Sequence, residues 1–169
     1  MTIAIPRPSL VVLVGPSGAG KSTFARKHFK RTEVVSSDFC RGLISDDESD
    51  QSATEAAFEV LRLIASKRLK TGRLTVVDAT SVQAHARAGL VALAHEHDVP
   101  AIAIVLNLAE DLCVARSQAR PGRPVPPEIV RSQVRDLVGS LPGLRLNEGF
   151  RLVCLLSTPE EIDSVSVAM

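Results

Sequence analysis

Residues 9–23 read SLVVLVGPSGAGKST, and this stretch decides the fold. Ser9 to Val14 is a run of aliphatic and β-branched residues, as a strand buried on both faces requires. It leads into Gly15, Pro16, Ser17, Gly18, Ala19, Gly20, Lys21, Ser22 and Thr23, which satisfy G-x-x-x-x-G-K-[ST]. Phe24, Ala25 and Phe29 follow at helical spacing. Strand, glycine-rich loop and helix together form the context of a phosphate-binding P-loop. Glycines let consecutive backbone N–H groups turn inward, and the helix N-terminus adds its partial positive charge. In such a loop Lys21 reaches the β and γ phosphates and the Ser22 hydroxyl holds Mg²⁺. The stretch predicts a protein that binds a nucleoside triphosphate.

Composition narrows the class. A chain of 169 residues suits one domain, residues 1–169, with room for a proper core. No run of 18 apolar residues occurs, and MTIAIPRP has neither a long apolar region nor a cleavage site, so a soluble, cytoplasmic protein with no membrane segment is expected. Cys40, Cys113 and Cys154 are widely spaced and odd in number, which predicts reduced thiols rather than a disulfide or metal site. A net charge of +1 excludes a broad electrostatic surface for duplex nucleic acid. The absence of Trp and Tyr, with five Phe, argues against a broad base-stacking platform.

Beyond the P-loop, strands and helices alternate. Short strands are expected at 2–5 (an edge strand) and 33–36, and buried strands at 74–77, 100–108 and 151–156. Helices are expected at 54–70, 82–95, 110–118, 128–141 and 158–165, with 45–52 an acidic, solvated loop. Four prolines and a glycine within 121–127 break the chain into a stiff loop or lid hinge. The predicted class is an α/β three-layer sandwich of the P-loop kinase type. Its sheet is mainly parallel and five-stranded, flanked by helices and topped by an arginine-bearing lid. Ligands in such folds sit beyond the carboxyl ends of the strands. There the P-loop, Asp38, Asp78 with Thr80, and Asn107 should share a cleft.

Three features of that cleft suggest a kinase. Asp38, at the expected end of the second strand, suits a carboxylate that accepts the proton of an attacking hydroxyl. Arg41, three residues on, suits an anionic group of the acceptor. Arg116 and Arg120 are four apart, as if projecting from one helix face, and Arg123 follows in the hinge. Like charges at that spacing repel unless a polyanion lies between them, and arginines closing over a triphosphate stabilise its transition state. Asp78 stands where a Walker-B acid steadies Mg²⁺.

The P-loop string by itself also resembles guanylate kinases, which ordinarily hold GMP with tyrosines that this chain lacks. Longer stretches are more specific. GPSGAGKSTFARKHF (15–29), TEVVSSDFCRGLISDDESDQ (32–51), KRLKTGRLTVVDAT (67–80) and R-x3-R-x2-R (116–123) closely resemble the kinase domain of bacterial polynucleotide kinase-phosphatase. The resemblance spans nearly the whole chain and is weakest at its ends and in residues 121–127.

It implies a 5′-OH polynucleotide kinase, which transfers the γ-phosphate of ATP or another NTP to the 5′ end of RNA or DNA, with Mg²⁺ or Mn²⁺. By position, Lys21 and Ser22 match the phosphate and metal residues, and Asp38 the general base. Arg41 matches the acceptor-phosphate arginine, and Arg116, Arg120 and Arg123 the lid arginines. Gln51, Thr80, Gln133 and Arg135 fall where acceptor or nucleoside contacts are expected. The resemblance further implies an N-terminal module excised from a longer end-repair enzyme with phosphatase and ligase-like modules. It brings with it an RNA 3′-end methyltransferase partner, and it is compatible with a homodimer. Two alternatives remain open: a small-molecule or nucleoside-monophosphate kinase of the same fold, and a non-catalytic NTP-binding module.

Overall fold

Alternation within the strands sorts the core into two layers. The computed structural model describes residues 1–169. In chain order its elements are β1 (Thr2–Ala4), β2 (Leu10–Val14), α1 (Lys21–His28), β3 (Val34–Ser36), α2 (Ser37–Ser45), α3 (Thr54–Lys70) and β4 (Thr75–Asp78). They continue with α4 (Ala84–Glu96), β5 (Ala101–Leu106), α5 (Glu110–Gln118), α6 (Pro127–Leu146), β6 (Leu152–Leu156), α7 (Pro159–Ser164) and β7 (Ser166–Ala168). β2 and β5 are buried at every position. Because neighbouring strand residues face opposite ways, Leu10, Val12, Val14, Ala103 and Val105 join one hydrophobic cluster. Val11, Leu13, Ile102, Ile104 and Leu106 join the other.

The main sheet has the order β3-β4-β2-β5-β6, and all of its pairings are parallel. Parallel neighbours need crossover connections, which helices supply. α3 and α4 cover one face through Ala57, Leu61, Leu90 and Ala94; α1 and α5 cover the other through Phe24, Ala25 and Cys113. This is the expected three-layer α/β sandwich, with the P-loop following the central strand. α6 packs Val130 into one layer and Leu137 and Leu144 into the other, so Gln133 between them meets the P-loop.

The structure corrects four local readings. Asp38 lies in the first turn of α2, not at a strand end, because Ser36 Oγ accepts from Phe39 N at 3.3 Å and Cys40 anchors the helix in the core. α6 continues past Pro142 to Leu146, held by buried Leu144. α5 stops at Gln118, so Arg120 falls in the turn beyond it rather than on one helix with Arg116. β1 is not an edge of the main sheet. It pairs in parallel with β7, a strand the alternating segment SVSVA was too short to announce, in a separate two-stranded sheet.

The loop after β4 is pinned from within. Arg87, fully buried on α4, donates from Nε and Nη2 to the two Glu148 carboxylate oxygens, each at 2.6 Å, and from Nη1 to Ser81 O at 2.8 Å. Ser81 takes a positive φ of 47° there. Glu148→Gln removes the charge that matches a buried guanidinium and is expected to lower stability by about 1.5–3 kcal/mol, read by urea unfolding. No helix is long and apolar enough to cross a membrane. All three cysteines are free and buried, and burial pushes their thiols up.

Candidate phosphotransfer site

The P-loop is seated on both of its neighbours. Gly15 N donates to Thr80 O at 2.9 Å, which ties the loop to the end of β4. Gly18 has φ +83° and sits directly against α5: a Cβ there would lie 2.1 Å from the Cys113 carbonyl oxygen. Gly20, with φ 95°, caps α1 without a side-chain hydrogen bond. The first-turn N–H groups of α1 are therefore left to an anion, where the helix dipole favours one.

Two side chains hold the loop in register. Lys21 is buried, and its Nζ donates to Gly15 O at 2.8 Å and Pro16 O at 2.9 Å. Burial pushes its ammonium below the ordinary lysine value, while the charges of Asp78 and Asp38 draw it back up. A triphosphate supplies the counter-charge that burial withholds. Ser17 N donates to Gln133 Oε1 at 2.8 Å, so an amide oxygen from α6 occupies a loop N–H of the kind a phosphate oxygen takes. Gln133, expected at the acceptor or the nucleoside, thus stands on the donor loop.

Ser22 Oγ donates to Asp78 Oδ2 at 2.7 Å, and Asp78 is buried. A hydroxyl and a carboxylate side by side at the P-loop are the hard oxygen donors that Mg²⁺ takes, with waters completing its shell. The residues fit the metal. Thr23 is exposed and accepts from Arg26 Nη2 at 3.2 Å.

The opposite wall is built around Asp38. Its carboxylate meets Arg41 Nη1 through Oδ1, Arg123 Nη1 at 3.4 Å and Arg120 Nη2 at 4.0 Å through Oδ2. Arg41 is steadied by Thr54, whose Oγ1 accepts from Nε at 3.1 Å. Three guanidiniums converge on one carboxylate that is itself 39% exposed, a surplus of positive charge facing the P-loop lysine's side of the cleft. Such a surplus suits transferable phosphates.

Of the remaining expected residues, Thr80 contributes its backbone carbonyl to the P-loop, while Gln51 is exposed in a 3-10 turn with Nε2 on Ser49 O at 3.3 Å. Arg116 and Arg135 are exposed without ion pairs, and the Asn107 backbone N donates to Leu156 O at 2.8 Å. One residue at the site escaped the sequence reading. Glu48, taken there as part of a solvated acidic run, pairs with Arg123 at 2.6 Å.

A sequence profile for a family described as an AAA domain matches residues 10–143. The chain belongs to that family. Among solved structures, the Pnkp1/Rnl/Hen1 RNA repair complex superposes with a TM-score of 0.70 at 26% identity, over 82% of this chain and 46% of that one. This bears out the resemblance to a polynucleotide kinase domain of the P-loop superfamily. A gluconokinase from Sinorhizobium meliloti 1021 (TM-score 0.57, 16% identity, 94% and 87% of the two chains) shares the fold. So does the Mycobacterium tuberculosis APS kinase CysC in complex with AMPPNP and APS (TM-score 0.57, 19% identity, 94% and 93%). Transcription factor bHLH140 of Arabidopsis thaliana is 25% identical over 158 residues, which are 92% of this chain and 16% of that protein. This chain therefore spans less than half of the repair-complex chain and about a sixth of the curated relative. The AAA-domain member described here has a P-loop kinase fold, with the nucleotide binding and phosphotransfer chemistry that fold supports.

Proposed function

We propose that this domain is a polynucleotide 5′-hydroxyl kinase that moves the γ-phosphate of ATP or another NTP to the 5′-OH end of RNA or DNA. The observation that carries the reading is the clustering of Asp38 with Arg41, Arg120 and Arg123 across from the P-loop. Asp38 accepts the proton of the attacking 5′-OH, and Arg41 beside it engages an acceptor phosphate. Lys21, Arg120 and Arg123, joined by Arg116 on lid closure, stabilise charge on the transferring phosphoryl group. Mg²⁺ bound with the NTP would be held by Ser22 and Asp78 and would neutralise phosphate charge. Phe39, next in the chain to Asp38, is 52% exposed, a surface on which an acceptor base can stack.

In this reading residues 1–169 form one kinase domain that serves end repair beside phosphatase, ligase-like and methyltransferase partners. Its test is transfer of labelled γ-phosphate to a 5′-OH oligonucleotide. Because a net charge of +1 allows few phosphate contacts, acceptor binding should fall with salt along a log–log slope of about −1 to −2. A much steeper slope would mean a longer nucleic-acid track than a strand end.

A further inference from the structure

The loop between α2 and α3 is built, not merely solvated. Asp47 Oδ1 accepts from Ser49 N at 2.9 Å and Ser49 Oγ at 2.6 Å, and Asp50 Oδ1 accepts from Ser52 N at 2.9 Å and Ser52 Oγ at 2.6 Å. Ser45 Oγ donates to Asp47 O at 3.0 Å, fastening the loop to the last turn of α2. Between these closures Glu48 folds back across α2, and its carboxylate reaches Arg123 Nη1 at 2.6 Å. The same nitrogen lies 3.4 Å from Asp38.

Gly42 supplies an independent sign of this path. It lies inside α2, where glycine is worse than alanine, yet a Cβ at 42 would stand 2.8 Å from Glu48 Cγ. The helix gives up a side chain where Glu48 crosses it. The sequence assigns neither residue a role of its own.

We propose that Glu48 is a positioning residue for the lid: it is the nearer anchor of Arg123 and holds that guanidinium beside the Asp38 carboxylate before substrates arrive. This rests on the phosphotransfer reading of the site. Arg123 has other donor nitrogens with which to meet a phosphate while Nη1 stays on Glu48. Its flexible side chain is then ordered before the reaction, not during it. The pair is exposed by about a third on each side, so it contributes little to folding; its value lies in orientation.

The test is a double-mutant cycle of Glu48→Gln and Arg123→Gln, with kcat and KM measured at saturating Mg²⁺ and a 5′-OH oligonucleotide. Glu48→Gln should lower kcat about tenfold with KM for the NTP within about threefold. The unfolding midpoint should stay that of the wild type, and the double variant should be no slower than Arg123→Gln alone. A kcat within about twofold of wild type, or multiplicative losses in the double variant, overturns the proposal. Side-chain NMR of the ligand-free protein adds a readout free of turnover. The Arg123 Nε–Hε group should be ordered in the wild type and mobile in Glu48→Gln; equal mobility in the two overturns the proposal. A wild type that transfers no phosphate to the oligonucleotide defeats the kinase reading instead, and NMR alone then decides whether Glu48 restrains Arg123.

Discussion

Asp38→Asn should slow phosphoryl transfer by about 10²–10⁴-fold, the range a positioned general base contributes. The asparagine keeps the shape and a hydrogen-bond acceptor toward Arg41, and it loses the negative charge and with it the ability to take a proton at this site. Asp38 is 39% exposed and its ion pairs are short-range contacts near solvent, so the variant should unfold within about 1 kcal/mol of the wild type. NTP affinity should hold or rise, because the cleft loses one negative charge that repels phosphate. Single-turnover transfer and NTP titration on the same preparation separate these effects. A loss below about tenfold would remove Asp38 from the chemistry and leave it as a counter-ion of the lid.

The second large effect is structural. Gly18→Ala should cost about 3–6 kcal/mol, the sum of a left-handed conformation at a non-glycine residue and a clash inside a packed contact. Its new Cβ would meet the Cys113 carbonyl at 2.1 Å and the Ser117 backbone nitrogen at 3.1 Å, and backbone cannot rotate out of the way as a side chain can. The P-loop would have to lift from α5, so NTP affinity should collapse along with stability. Gly20→Ala is the control. Its φ of +95° carries the conformational cost, but nothing lies within 4 Å of the added Cβ, so about 1–2 kcal/mol is expected. Urea unfolding of the two variants, each with and without NTP, checks both numbers. Equal costs would mean that contact with α5 does not constrain the loop.

These two sites mark what was legible in the sequence. The P-loop declared itself because its chemistry is local: strand, glycines, Lys21 and Ser22 are contiguous. The buried strands were legible for the same reason, each being an apolar run of its own. Asp38, Arg41, Arg120 and Arg123 could be named from resemblance and spacing, and the fold brings them together. Their exact supports could not be read. Asp38 sits on a helix because Ser36 caps it and Cys40 anchors it, and neither contact has a periodic signature in so short a segment. Arg87 looked like one more arginine on an alanine-rich helix; its burial depends on Glu148, 61 residues away. β7 is three residues long and exists by pairing with the other end of the chain. Glu48 was hidden in an acidic run whose composition suggests only solvation, since its partner lies beyond three helices and two strands. Local patterns announced elements and chemistry, and long-range pairs decided geometry.

The identity of the acceptor separates a polynucleotide kinase from the other kinases of this fold. The most direct measurement offers γ-labelled ATP and Mg²⁺ to the protein with equal concentrations of four acceptors: a 5′-OH oligonucleotide, the same oligonucleotide already 5′-phosphorylated, gluconate and a nucleoside monophosphate. Label is expected on the 5′-OH oligonucleotide alone, and is expected to be lost with Asp38→Asn. Label on gluconate or the nucleotide, with none on the 5′-OH end, would contradict it.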